Sequence, residues 1–268
     1  MRITLNPGSA AMSTMVATFD LPQASPLSAL RAPMREVRAE LRPWGFWASL
    51  GWGLFAVAMG LFAAVIYTLI WMLTHELRIP NAEDAAFATA TAIMASVVAL
   101  AVLVIAVKIR KFPLRDYFAL NGIPRRDLVL GIACLTVVIV GFGAMESLLG
   151  IDGGSKSVEE TYRAARLAGM LPLLWLAMIV VAPITEELLF RGFLHRSWAP
   201  SWLGVPGTIV LTSALWAALH QQYNSIGILC IFLMGLIFGW ARQRSGSTAL
   251  TIVLHALNNL IAMIVIAL

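Results

Sequence analysis

Stretches of about twenty apolar residues recur along this 268-residue chain, separated by short polar links. A helix needs about 20 residues to cross the roughly 30 Å hydrocarbon core of a bilayer. It is favoured there because it pairs its own backbone N–H and C=O groups within one segment. The pattern predicts an all-α, polytopic transmembrane helix bundle. Composition agrees: 60% of residues are hydrophobic and only 12% charged, against about 25% charged in a soluble domain. The net charge of +5 is then expected on inner-face loops rather than on a nucleic-acid-binding surface. Cys134 and Cys230 both fall in apolar runs and read as structural thiols rather than a disulfide. No apolar stretch follows Met1, so no cleavable signal is expected.

Seven spans are expected, at about 44–73, 85–107, 128–151, 171–198, 206–222, 225–240 and 248–268. An eighth arises if 193–203 inserts or if the first run is two pieces. Residues 1–43 mix Pro, Ser and Arg and do not span; 27–42 could form an amphipathic helix on the inner face. A second surface helix is expected around 158–168. Three parts follow: 1–43, the transmembrane helices and links of 44–170, and the polar-bearing spans of 171–268.

Basic residues orient the bundle. With the N-terminus inside, the inner face holds Arg2, Arg31, Arg35, Arg38, Arg42, Lys108, Arg110, Lys111, Arg115, Arg125, Arg126, Arg191, Arg196, Arg242 and Arg244. The outer face holds Arg78, Lys156, Arg163 and Arg166. Fifteen against four predicts a cytoplasmic N-terminus in a cell (inner) membrane.

Within these spans, charge is the anomaly. The run LPLLWLAMIVVAPITEELLF at 171–190 carries Glu186 and Glu187, and Arg191 follows. Each charge at the bilayer centre costs about 2.5–3.5 kcal/mol on insertion scales. Glu187 and Arg191 are four apart and can pair on one helix face, whereas Glu186 is rotated about 100° away. One arginine cannot neutralise two carboxylates. Pro183, just upstream, removes a backbone donor and bends the axis. Two further clusters lie in the last spans: Trp216-Ala217-Ala218-Leu219-His220 and His255-Ala256-Leu257-Asn258-Asn259. His255 and Asn259 share one face. Each cluster alone also reads as ordinary structure: an ion pair at a helix end, an interfacial histidine, polar packing between helices. Together they supply a carboxylate, two imidazoles and an amide. That set can take a proton from water and stabilise an oxyanion.

In this order the clusters resemble the CPBP family of CAAX proteases and bacteriocin-processing enzymes, also called Abi, whose best-known class is the Ras-converting CAAX prenyl endopeptidase. The family pattern is EExxxR, FxxxH and HxxxN; this chain has EELLFR at 186–191, WAALH at 216–220 and HALNN at 255–259. Trp216 stands where the family usually has Phe, which keeps an aromatic wall. The resemblance covers about 170–268 and implies a glutamate-dependent intramembrane endopeptidase. It makes Glu186 the general base, acting on water with His220, and makes His255 and Asn259 the oxyanion donors. Glu187, Arg191 and Trp216 would organise the site. The implied partners are the lipid bilayer and a membrane-associated peptide or protein, with no nucleic acid.

Other readings stay open on the residues. A zinc protease could use the same side chains. HExxH is absent, however, since His75-Glu76 is followed by Leu77, Arg78 and Ile79, and no metal or other cofactor is expected. A proton-coupled transporter would also bury Glu, His and Arg, but no inverted repeat is evident. A non-catalytic, immunity-type protein on the same bundle is the third. The expected boundaries raise one geometric difficulty. His220 falls late in the fifth span, too near the outer surface to meet Glu186 and His255. Either the fourth helix is long and tilted and the fifth runs past Gln222, or the boundaries differ.

Overall fold

The computed structural model describes residues 42–80, 84–150 and 155–268, and every regular element among them is a helix. The amphipathic helix expected at 27–42 lies outside the described residues apart from Arg42. The chain forms α1 (Phe46–Thr74), α2 (Ala85–Ile109), a single turn α3 (Leu114–Tyr117), α4 (Arg125–Leu149) and α5 (Lys156–Leu167). A 28-residue helix α6 (Leu171–Trp198) follows, then α7 (Gly204–Ala218), α8 (Ser225–Ser245) and α9 (Thr248–Ala267).

Six of these, α1, α2, α4, α6, α8 and α9, are long and apolar enough to cross a membrane. The seventh expected span is a shorter apolar helix: α7 has 15 residues, about 22 Å at 1.5 Å per residue. Its expected run to Gln222 is corrected to a stop at Ala218, after which the chain turns through His220 to Tyr223. Neither route to an eighth span is present. The first run is one unbroken helix, and 193–203 completes α6 and turns into α7. The surface helix expected near 158–168 is α5, which begins at a Ser155 cap whose hydroxyl accepts from Val158 N–H at 3.3 Å. It buries Tyr162 and Ala165.

Apolar side chains such as Leu61, Val65 and Leu69 of α1 and Val137 and Val140 of α4 are exposed, as side chains facing lipid would be. The buried face of α1 is made of Ser49, Gly53, Ala56 and Gly60. Small residues of this kind let helices approach closely in a membrane. A Cβ on Gly60 would lie 2.7 Å from the Ala95 carbonyl oxygen of α2, so the two backbones touch there. The α8–α9 hairpin turns on Gly246, whose φ of +67° suits glycine. Ser247 then caps α9, its hydroxyl accepting from Leu250 N–H at 3.3 Å.

The basic loops gather at one end of the bundle. Arg110 donates to Arg42 O at 2.8 Å, Arg196 to Asp116 O at 3.2 Å, and Arg244 to Asp127 at 2.8 Å. Thr248 N–H donates to Ala119 O at 2.9 Å. Two arginines expected in these loops are not there: Arg191 is wholly buried within α6 and Arg242 is buried within α8. Among the described residues, removing both still leaves nine of the eleven basic residues assigned to this face.

Candidate active site

Glu186 and Glu187 sit in α6 between two π-helical stretches, Ala177–Val181 and Leu188–Leu194. Such insertions widen a helix and are frequent at functional sites. The first has a local cause. In the π register, Ala182 N–H donates to Ala177 O. The next residue, Pro183, has no N–H to give to Met178 O. Asn259 of α9 supplies the missing donor, its side-chain amide reaching Met178 O at 2.8 Å. One of its two amide protons is therefore bound to α6, and Asn258 donates to its Oδ1 at 3.3 Å.

The two glutamates part as their spacing predicts. Glu187 has no exposed side-chain surface, while Glu186 keeps 30% of its own. Glu187 Oε1 accepts from Arg191 Nη1 at 3.0 Å and faces His255 Nδ1 at 3.1 Å. Arg191 also donates to Gly235 O of α8 at 3.1 Å, and its guanidinium lies over Trp216 at 4.9 Å and Phe238 at 5.4 Å. The pair is thus enclosed by α7, α8 and α9. Gly235 allows the enclosure, because a Cβ there would be 2.8 Å from Ser213 Cβ.

Trp216 is more than an aromatic wall. Its indole N–H donates to Glu186 Oε2 at 2.5 Å, a bond that phenylalanine cannot make. The same ring meets His220 and His255 edge-on, at 5.1 Å and 5.2 Å between centroids. The Nδ1 of His220 is 2.8 Å from Trp216 O. A carbonyl can only accept, so Nδ1 carries a proton, and in the neutral ring Nε2 then holds the lone pair. His255 turns its Nε2 toward Glu186 Oε2, 3.9 Å away.

The early end of α7 resolves the difficulty over depth. Helix α7 leaves the basic end and stops at Ala218, and the turn that follows carries a half-buried His220 into the cavity that Glu186 and His255 also line. Irregular backbone at this depth is tolerated where it lines a cavity. Glu186, Trp216, His220, His255 and Asn259 all line one cavity of about 450 Å³. It runs along α9 from His255 to Ile266, about 16 Å of helix, toward the end of the bundle opposite the basic loops. Tyr223, Asn258 and Glu146 share its wall; the sequence placed Asn258 in the third cluster without giving it a role, and Tyr223 and Glu146 were passed over, although Glu146 had a signal as a lone carboxylate near the end of an apolar run. Among the described residues, no three His, Cys, Asp or Glu side chains are grouped to hold a metal ion.

A membrane-type helical bundle with a buried acid–imidazole–amide cluster is thus the class of protein that fold and site define. Residues 168–261 match the family described as type II CAAX prenyl endopeptidase Rce1-like, which relates this part of the chain to the CAAX proteases and takes in all three motif clusters. An Escherichia coli protein described as "Uncharacterized 24.3 kDa protein" is 41% identical over 86 residues. That stretch is 30% of this chain and 38% of the relative. No solved structure matches.

Proposed function

We propose that the protein is an intramembrane endopeptidase that cleaves a peptide bond of a membrane-associated substrate by a metal-free, glutamate-dependent route. The observation that carries this reading is the half-exposed Glu186 carboxylate, fixed by Trp216 and set among His220, His255 and Asn259 on the wall of one cavity. Glu186 and the bare Nε2 of His220 are both acceptors, so one water can donate a proton to each. Glu186 takes the proton as the water oxygen attacks the scissile carbonyl carbon, and returns it to the leaving amine. The oxyanion accepts from the second amide proton of Asn259 and from His255 Nε2–H. That role needs protons on both nitrogens of His255, with Nδ1–H engaged on Glu187.

The basic end of the bundle faces the cytoplasm in this reading, and the cavity reaches the opposite leaflet. The test pairs Glu186→Ala with His220→Ala and follows cleavage of candidate peptides in membranes. Loss of a general base lowers turnover about 10²–10⁴-fold. Wild-type rates in both variants would refute the assignment. Activity abolished by a chelator and restored by zinc would replace the metal-free route with a zinc-dependent one. Proton flux that needs Glu186, without peptide cleavage, would make the protein a transporter.

A further inference from the structure

The charge on the cavity wall narrows the substrate. Among the described residues, its only Asp, Glu, Lys or Arg side chains are Glu146 and Glu186. The rest is largely apolar and yielding, with Met178, Met234, Met263, Ile139, Phe142 and Ile231. Methionine fits irregular apolar guests because it is unbranched and flexible. Glu186 and Glu146 are separated along the cavity. Glu186 shares the polar cluster with His255, whereas Glu146 lies one turn before the end of α4, toward the end of the bundle away from the basic loops. Its side chain is half-buried. The face that carries it, Ile139, Phe142, Gly143 and Glu146, follows the i, i+3, i+4, i+7 spacing of one helical stripe. Basic residues do occur near this end, on α5, but Lys156, Arg163 and Arg166 are exposed, and Val158 is the α5 residue on the wall.

Resting on the peptidase reading above, we infer that Glu146 is a specificity residue that selects a lysine or arginine beside the apolar stretch seated in the cavity. A basic side chain finds Glu146 at that end of the cavity while its apolar neighbours fill the methionine-lined part.

The test uses the full chain in phosphatidylcholine nanodiscs, where the lipid carries no net charge. Fluorogenic peptides share one apolar core and carry Lys, Gln or Glu at either end. A half-buried pair should favour Lys over Glu by about fivefold in kcat/KM. Glu146→Gln should erase the Lys/Glu ratio and Glu146→Lys should invert it. An unchanged ratio in Glu146→Gln, or equal turnover of all peptides by the wild type, overturns the inference and leaves the peptidase reading intact. Binding of the same peptides to the Glu186→Ala variant, read by anisotropy, separates the two. Lys-selective binding that depends on Glu146, without wild-type cleavage, refutes the peptidase reading and upholds the selectivity. Binding indifferent to charge sinks the selectivity whatever the turnover.

Discussion

Helices α1 and α2 associate through close approach, whereas α6 is fixed to α7, α8 and α9 through buried polar bonds. At the first seam, Gly60 meets the Ala95 backbone and the buried face of α1 carries no ionisable group. At the second, a fully buried Glu187–Arg191 pair is tied to His255, to Gly235 O and to two aromatic rings. Lipid tails are as apolar as leucine, so both seams need something other than the hydrophobic effect to close. Small residues suffice for the first. The second carries charges that are weak evidence for stability, because a buried pair often does no better than well-packed apolar residues. A bundle that needed only to cohere could close α6 as it closes α1. Under the proposed reading, the contrast assigns the chemistry to the α6 side.

That contrast can be broken most sharply at Arg191. Arg191→Met leaves Glu187 buried without its partner and should cost about 3–5 kcal/mol, read as a lower midpoint of thermal unfolding in detergent micelles. Adding Glu187→Gln should recover part of the loss, since no buried charge then remains uncompensated. If Arg191→Met alone unfolds at the wild-type midpoint, the pair does not organise the bundle. Next comes Trp216→Phe, which keeps a ring beside the two imidazoles and deletes one donor to Glu186. Hydrogen bonds to charged groups contribute about 1.5–3 kcal/mol. The expected result is a fall in kcat of roughly ten- to a hundredfold with the unfolding midpoint little changed. Unaltered kcat would reduce Trp216 to a wall.

Much of this second region could be read from the chain because its pairings are local. Glu187 with Arg191 and His255 with Asn259 are each one helical turn apart, and that spacing fixes a shared face before any tertiary contact is known. Pro183 announced a break in the backbone ladder. The form of the break did not show, since a π turn and an α turn use the same residues, and the Asn259 amide that meets the freed Met178 O comes from α9, 81 residues away. The contact between Trp216 and Glu186 spans 30 residues and was equally hidden. The end of α7 was misjudged for a related reason. Hydropathy continues through Leu219, but the helix stops at Ala218, where the cavity lets the backbone turn. Burial of Arg191 and Arg242 also escaped the charge count, which treats every basic residue as a loop residue.

At the α1–α2 seam, Gly60→Ala sets a methyl against the Ala95 carbonyl oxygen, 2.7 Å from the new Cβ. Overpacking of this kind costs about 1–3 kcal/mol. The helices must part by a few tenths of an ångström, so the unfolding midpoint should fall. The cleavage rate at a permissive temperature should hold, because none of the site residues lies on α1 or α2. A large loss of kcat with unchanged stability would show that the two seams communicate.

The smallest effect should come from the outer face of α1. Leu61 is 63% exposed beside a buried Gly60, so adjacent residues test opposite environments. A side chain that packs on lipid has an apolar neighbour in the folded bundle and again after its helices separate within the bilayer. Truncation then removes similar contacts from both states, and Leu61→Ala should shift stability by no more than about 0.5 kcal/mol, well below the change at Gly60. A loss above 1 kcal/mol would mean that this face is covered by protein rather than lipid. Concentration dependence of the midpoint would then identify the cover as a second copy of the chain.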